Sequence, residues 1–146
     1  MRIVSGGQFG IDRMALEVAK ELGLLTGGFA PKGFKTEKGN DPTLADFGLK
    51  EHSSAEYNPR TELNVQLSGG TIIFGDVSSA GTKSTLKFIN KHHKPFLINP
   101  TSEQIKDFRK TKDIINVAGN RGSKLTSEKL EEYKLTLKEG LSWLKN

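Results

Sequence analysis

Ile3-Val4-Ser5-Gly6-Gly7-Gln8-Phe9-Gly10-Ile11-Asp12-Arg13 sets a short apolar run against three glycines and the first turn of a new periodic segment. Behind the glycines, apolar residues recur at Ile11, Met14, Ala15, Val18, Ala19 and Leu22, the spacing of one helix face. The unit reads as strand, Gly-rich turn, helix. In open α/β sheets such a turn lies at the carboxyl end of a strand, where ligands bind, and its unpaired backbone N–H groups suit anions.

Working outward, Gly23 ends the first helix and residues 24–30 form a second strand loosened by Gly27 and Gly28. Residues 31–47 are polar and glycine-bearing, with too few periodic apolar positions for an element. A structureless insertion of that length is either padding or a lid, and its place after a strand favours the lid. A short extended piece is expected at 48–53, followed by a helix that Asn58 caps, Pro59 opens and residue 67 closes. Thr71-Ile72-Ile73-Phe74 is β-branched and apolar throughout, as suits a central strand covered on both faces.

That strand runs into a second special loop, Gly75-Asp76-Val77-Ser78-Ser79-Ala80-Gly81-Thr82-Lys83-Ser84, and then a helix with Leu86 and Ile89 inward. The next strand, at 94–99, carries Pro95 near its start, and Thr101-Ser102-Glu103-Gln104 matches a capping box ahead of Ile105 and Phe108. A strand at 114–117 enters a third loop, Ala118-Gly119-Asn120-Arg121-Gly122-Ser123. The last helix, 126–144, carries Leu130, Tyr133, Leu137, Leu141 and Leu144 on one stripe. Alternating strands and helices imply a parallel α/β sheet with right-handed crossovers, on which the three loops share one edge.

Composition narrows the chemistry. The 146 residues suit one domain, 1–146. Without cysteine there is no disulfide, thiolate nucleophile or Cys-ligated metal, and no apolar run approaches a membrane span. A soluble, cytoplasmic protein is expected. The net charge of +5 favours anionic partners. Lys129, Lys134, Lys138 and Lys145 alternate with Glu128, Glu131, Glu132 and Glu139, which reads as a solvated face and makes a nucleic-acid partner unlikely on composition. His52, His92 and His93 have no metal-ligand spacing, so no metal is assigned.

Neither Gly-x-Gly-x-x-Gly nor Gly-x-x-x-x-Gly-Lys-Ser/Thr occurs, which excludes an ordinary dinucleotide fingerprint and a Walker P-loop. In the first loop, Gly6, Gly7 and Gly10 permit close backbone approach, Gln8 supplies an amide and Arg13 a cation. Asp12 would repel an anion at that helix start. It acts either as a cap that turns away or as a contact for a ligand hydroxyl, base or Mg2+. The second loop suits phosphate better, because Ser79, Gly81, Thr82 and Lys83 sit at a helix start with no acid after Asp76. Helical spacing places Arg60 and Asn64 on one side and Glu62 elsewhere, and Tyr57 can stack on a ring. Asn120 and Arg121 can reach the same crevice from the third loop.

Five stretches taken in order resemble the molybdenum carrier family: 5–13, Pro31-Lys32-Gly33, Arg60-Thr61-Glu62-Leu63-Asn64-Val65, Ala80-Gly81-Thr82 and Asn116-Val117-Ala118-Gly119-Asn120-Arg121. That family is similar to molybdenum cofactor carriers and to the Lonely-Guy phosphoribohydrolases. The resemblance implies a Rossmann-like three-layer sandwich with a mostly parallel sheet, a homo-oligomer (dimer or tetramer), and a crevice for a phosphorylated pterin cofactor or nucleotide. It also brings in Lys32. The phosphoribohydrolases carry Pro-Gly-Gly-x-Gly-Thr-x-x-Glu at the second loop, whereas Thr85 stands here at the glutamate position. A neutral hydroxyl cannot replace that carboxylate, so their usual hydrolysis is not expected.

The sequence therefore points to a binding protein. Ser79, Gly81, Thr82 and Lys83 would hold phosphate, with Gly7, Gln8 and Arg13 beside it, and Gly6, Gly10 and Asp12 are further ligand-binding candidates of the first loop. Arg60, Glu62 and Asn64 would line the ring or ribose. The alternatives are a nucleotide-processing hydrolase with Glu62 or Asp12 as acid or base, and a structural oligomer with a vestigial crevice.

Overall fold

A computed structural model describes residues 1–142. Six parallel strands form the sheet: β1 (Arg2–Val4), β2 (Leu25–Ala30), β5 (Leu49–Glu51), β6 (Gly70–Phe74), β7 (Phe96–Ile98) and β8 (Ile114–Gly119). Their order is β5-β2-β1-β8-β6-β7, and β3 (Lys35–Thr36) with β4 (Gly39–Asn40) makes a separate antiparallel hairpin. The helices are α1 (Ile11–Glu21), α2 (Tyr57–Leu67), α3 (Ala80–Lys91), α4 (Ser102–Arg109) and α5 (Ser127–Leu141). The expected Rossmann-like α/β sandwich is the fold found, with every strand of the main sheet parallel.

The direction of each step across the sheet decides which face a helix covers. Steps from β1 to β2 and from β7 to β8 run one way; those from β5 to β6 and from β6 to β7 run the other. Right-handed crossovers then place α1 and α4 on one face, where α5 joins them, and α2 with α3 on the opposite face. Ile3, Ile72, Ile115 and Val117 pack beneath Ile11, Val18, Ile105, Leu137 and Leu141 on the first face, while Ile73 meets Val65, Phe88 and Ile89 on the second. Every residue of β6 is buried, Thr71 with its hydroxyl accepting from Asn116 Nδ2 (3.3 Å), and each large aliphatic there contributes about 1.5–3 kcal/mol.

Local signals in the sequence account for most boundaries. Gly23 takes φ +76° behind α1, and Thr101 and Gln104 close the capping box of α4. Helix α2 begins two residues earlier than Asn58-Pro59 suggests, with Glu56 in the cap position. Proline is still tolerated, because the first four N–H groups of a helix have no partner to lose. Leu144 and Lys145, expected on the last helix, lie outside the described residues.

The expectation that residues 31–47 form no element needs correction. Two short 3-10 turns, 32–34 and 42–47, flank the β3–β4 hairpin. Leu44 and Phe47 anchor the segment against Leu16, Ala30 and Leu49, and Asp41 caps the second turn by accepting from the Thr43 N–H. Two apolar anchors set the path of the segment, and two are too few to leave a period. No helix among the described residues is long and apolar enough to cross a membrane.

The loop after β1 is fastened to the loop after β8. The Gly122 N–H donates to the Phe9 carbonyl (2.7 Å), and the Ile11 N–H donates to that of Asn120 (3.2 Å). Between these bonds Gly10 holds φ +108°, and a Cβ there would stand 2.5 Å from Asn120 O and 2.6 Å from Gly122 N. Gly10→Ala is expected to destabilise the fold by about 2 kcal/mol or more, measured as a lowered urea midpoint at unchanged m-value.

Candidate functional site

Three adjacent central strands, β1, β8 and β6, deliver the three glycine-bearing loops to one edge. The first loop turns into α1 on one face and the second into α3 on the other, so the chain parts and leaves a crevice of about 490 Å³. Gln8 and Asp12 line it from the first loop, Tyr57 and Arg60 from α2, Ser79 to Gly81 from the second loop, and Asn120, Arg121 and Lys124 from the third. The expected convergence is present. Several expected contacts are not.

Asp12 and Arg60 form the floor, with side chains only 8% and 11% exposed and Arg60 Nη1 4.0 Å from Asp12 Oδ2. The Asp12 carboxylate accepts from the Gln8 N–H (3.2 Å) and lines the crevice rather than turning away from it. Burial pushes its pKa up from 3.8 to about 6, held back by Arg60 and by the Gln8 and Gly6 N–H groups. Burial also lowers the pKa of Arg60, opposed by Asp12 and Tyr57. The guanidinium fits because Gly6 has no side chain: a Cβ at Gly6 would collide with it. Arg60 Nη1 donates to Thr61 Oγ1 (3.0 Å), whereas Nε is buried without a partner, an arrangement that costs about 1–3 kcal/mol.

The opposite wall is the start of α3. Ser79 caps it: Oγ accepts from the Thr82 N–H (3.4 Å), donates to Thr82 Oγ1 (2.9 Å) and accepts from Asn120 Nδ2 (3.1 Å). Asn120 in turn accepts from the Asp76 N–H (2.6 Å) and donates to the Asp76 carbonyl (3.0 Å). The side chains of Ser79 and Asn120 are thus committed to joining the second and third loops. What the wall offers is backbone: Ala80 and Gly81 line the crevice, their N–H groups have no acceptor within the helix, and Gly81 keeps the space beside it open. Asp76 is turned to its own loop, and the Ser78 hydroxyl and N–H hold its carboxyl below the usual carboxylate range.

The structure places several other expected ligands elsewhere. Arg13 points to Asp41 (2.6 Å) and covers the Phe47 ring. Glu62 lies on the outer face of α2 and accepts from Lys91 and His92 at 2.7 Å, both of which keep its carboxyl below its ordinary range. Asn64 is buried and bonded to both backbone groups of Phe29 (2.8 and 3.0 Å), Thr82 is buried under its cap, and Lys32 and Lys83 are exposed outside the crevice. Gly7 and Gly10 serve packing and the loop junction. A role for Glu62 as an acid or base in the crevice is excluded by its direction.

Sequence reasoning missed Lys124, Asp76 and Thr85 as lining residues. Lys124 ends a 3-10 turn (Gly122–Lys124) that no periodicity announces. Among the described residues, no group of three or more His, Asp or Glu could hold a metal.

Comparison with known proteins agrees with this fold. Residues 3–138 match the family described as "Circularly permutated YpsA SLOG family". Among solved structures, the crystal structure of a "Putative molybdenum carrier protein" from Syntrophus aciditrophicus SB is similar, with 30% identity and a TM-score of 0.79 over 95% of this chain and 92% of that one. No curated protein matches the chain.

Asp12 ties stability to pH with a definite sign. Its folded pKa lies above the unfolded value of 3.8, so its burial carries no ionisation penalty below that value. The penalty grows as pH rises through about 6 and is constant above. A carbon-detected NMR titration should give Asp12 a midpoint near 6, and Arg60→Met should move it higher by removing the cation that opposes the shift.

Proposed function

The chain belongs to the circularly permuted YpsA SLOG family, and on that premise we propose that it is a carrier-like protein binding a phosphorylated heterocycle, a pterin cofactor or a nucleotide, in the crevice. The observation that carries the reading is the start of α3, whose Ala80 and Gly81, with N–H groups unpaired within the helix, line the crevice on one side while Arg121 and Lys124 border it on the other. A dianionic phosphate is the natural complement of two open N–H groups and two cations. The ligand's ring then extends toward Tyr57, which borders the space. The solved relative described as a molybdenum carrier supports the carrier reading and makes a molybdenum pterin one candidate cargo.

A hydrolase is the second reading, kept open by one observation: Asp12, with its pKa raised to about 6, is a carboxyl able to hold or release a proton inside the crevice. Thr85 lines the crevice too, but its hydroxyl is bonded to the Gly81 carbonyl and supplies no second acid or base.

Thermal unfolding with a panel of nucleotides and phosphorylated pterins tests the carrier reading. At least one should raise the Tm at saturating concentration, and stabilisation by none would refute it. Gly81→Val fills space that nothing occupies within 4 Å, at an ordinary helical φ. The variant should fold with unchanged Tm and lose the ligand-induced shift.

A further inference from the structure

The phosphate reading assigns one wall and the mouth of the crevice and leaves the floor without a role. There Asp12 and Arg60 lie side by side, nearly buried, with Arg60 Nε without any partner. Of the guanidinium's donors, Nη1 is taken by Thr61, and among the described residues none accepts from Nη2. The cation and the carboxylate together carry no net charge. A second phosphate placed here would meet Arg60 but also stand against Asp12, whose repulsion cancels the attraction.

A neutral group with an N–H beside an acceptor has no such conflict. Its N–H meets the carboxylate and its acceptor meets the guanidinium, so two buried and incompletely bonded groups are satisfied at once. Gln8 fits the same description. Its Oε1 already accepts from the Phe9 N–H (3.1 Å) and the Glu37 N–H (2.8 Å), which leaves the amide N–H groups as its remaining capacity toward the crevice. Tyr57 borders the crevice, and the Arg60 guanidinium carbon lies over its ring 5.4 Å from the centre, as Lys35 Nζ does at 4.9 Å, so the ring helps hold the Arg60 cation at the floor.

We propose that Asp12 and Arg60 read the hydrogen-bonding edge of a planar heterocycle in which a ring N–H lies next to a carbonyl, as in the lactam of a guanine or a pterin. Asp12 accepts from the ring N–H and Arg60 donates to the carbonyl. The ligand therefore enters ring first and leaves its phosphate at the α3 wall. This assignment rests on the phosphorylated-ligand reading and adds to it a choice of ring and an orientation. Asp12 must be ionised to accept. The charged and titratable groups sharing its surroundings are Arg60 and Tyr57 from α2, Asp76 from the second loop, Arg121 and Lys124 from the third, and Glu37 with Lys38 from the hairpin tip beside Gln8.

Isothermal titration with GMP, 1-methyl-GMP and ribose 5-phosphate tests the assignment. GMP presents the full edge, 1-methyl-GMP lacks the ring N–H, and ribose 5-phosphate has no ring. GMP should bind about tenfold or more tighter than either of the others at pH 7.5. Asp12→Asn should weaken GMP and bring it to within about threefold of ribose 5-phosphate. The ratio of the two affinities cancels the second ionisation of the phosphate, near pH 6. In the wild type this ratio should fall toward one as pH drops through about 6, and in Asp12→Asn it should stay flat. A wild-type ratio near one at pH 7.5, a ratio unaffected by Asp12→Asn, or a ratio that rises as pH falls would each overturn the edge assignment while sparing the phosphate site. Failure of both GMP and ribose 5-phosphate to bind would overturn the phosphorylated-ligand reading and the edge assignment together.

Discussion

The insertion of β8 between β1 and β6 is the constraint on which the rest of the structure depends. Parallel pairing aligns Val4 with Asn116 on one side of β8, and Phe74 with Gly119 on the other. Three neighbouring carboxyl ends, each followed by a glycine-bearing loop, are thereby set at one edge. Because the crossovers are right-handed, the first and second loops leave toward opposite faces and the third has to fill the gap between them. The third loop is bonded to both: to the first through the backbone at Gly10, and to the second through the Asn120 side chain. The crevice is what remains open when these bonds are made.

Its electrostatics divide along the same line. The floor pairs Asp12 with Arg60 and is close to neutral, whereas the rim combines the α3 start with Arg121, Lys124 and the Asp76 carboxylate, which is bonded to Ser78 in its own loop. A ligand charged at one end and polar but uncharged at the other is complementary to that gradient. The folded 31–47 segment supports the arrangement from outside. Its tip places the Glu37 carboxylate on the Ser123 hydroxyl (2.6 Å) and N–H (3.0 Å), and its base supplies Asp41 to hold Arg13 away from the floor.

Much of this was legible in the sequence, for identifiable reasons. Strand and helix alternation, the Thr71-Ile72-Ile73-Phe74 run and the capping box at Thr101 are local patterns, and each appears where it was expected. The site was legible by loop but not by residue. Ser79 and Asn120 have the chemistry of ligand-binding groups, yet their hydrogen-bonding capacity is used in joining loops that lie 41 positions apart in the chain. Helix α2 shows the same limit, since its buried residues Arg60 and Asn64 are polar and break the apolar period that would have marked an inward face.

The sequence alone determined the fold class and the three glycine-bearing turns, because each depends on residues within a few positions of one another. Which of two arginines reaches the crevice could not be decided that way. Arg13 and Arg60 both follow small or polar residues in the first turns of helices, and both suited the role. Only the folded chain, by bringing Asp41 to Arg13 across 28 positions and by leaving room over Gly6 for Arg60, settled it. Contacts of that range are set by packing and electrostatics across the whole domain, which no local pattern records.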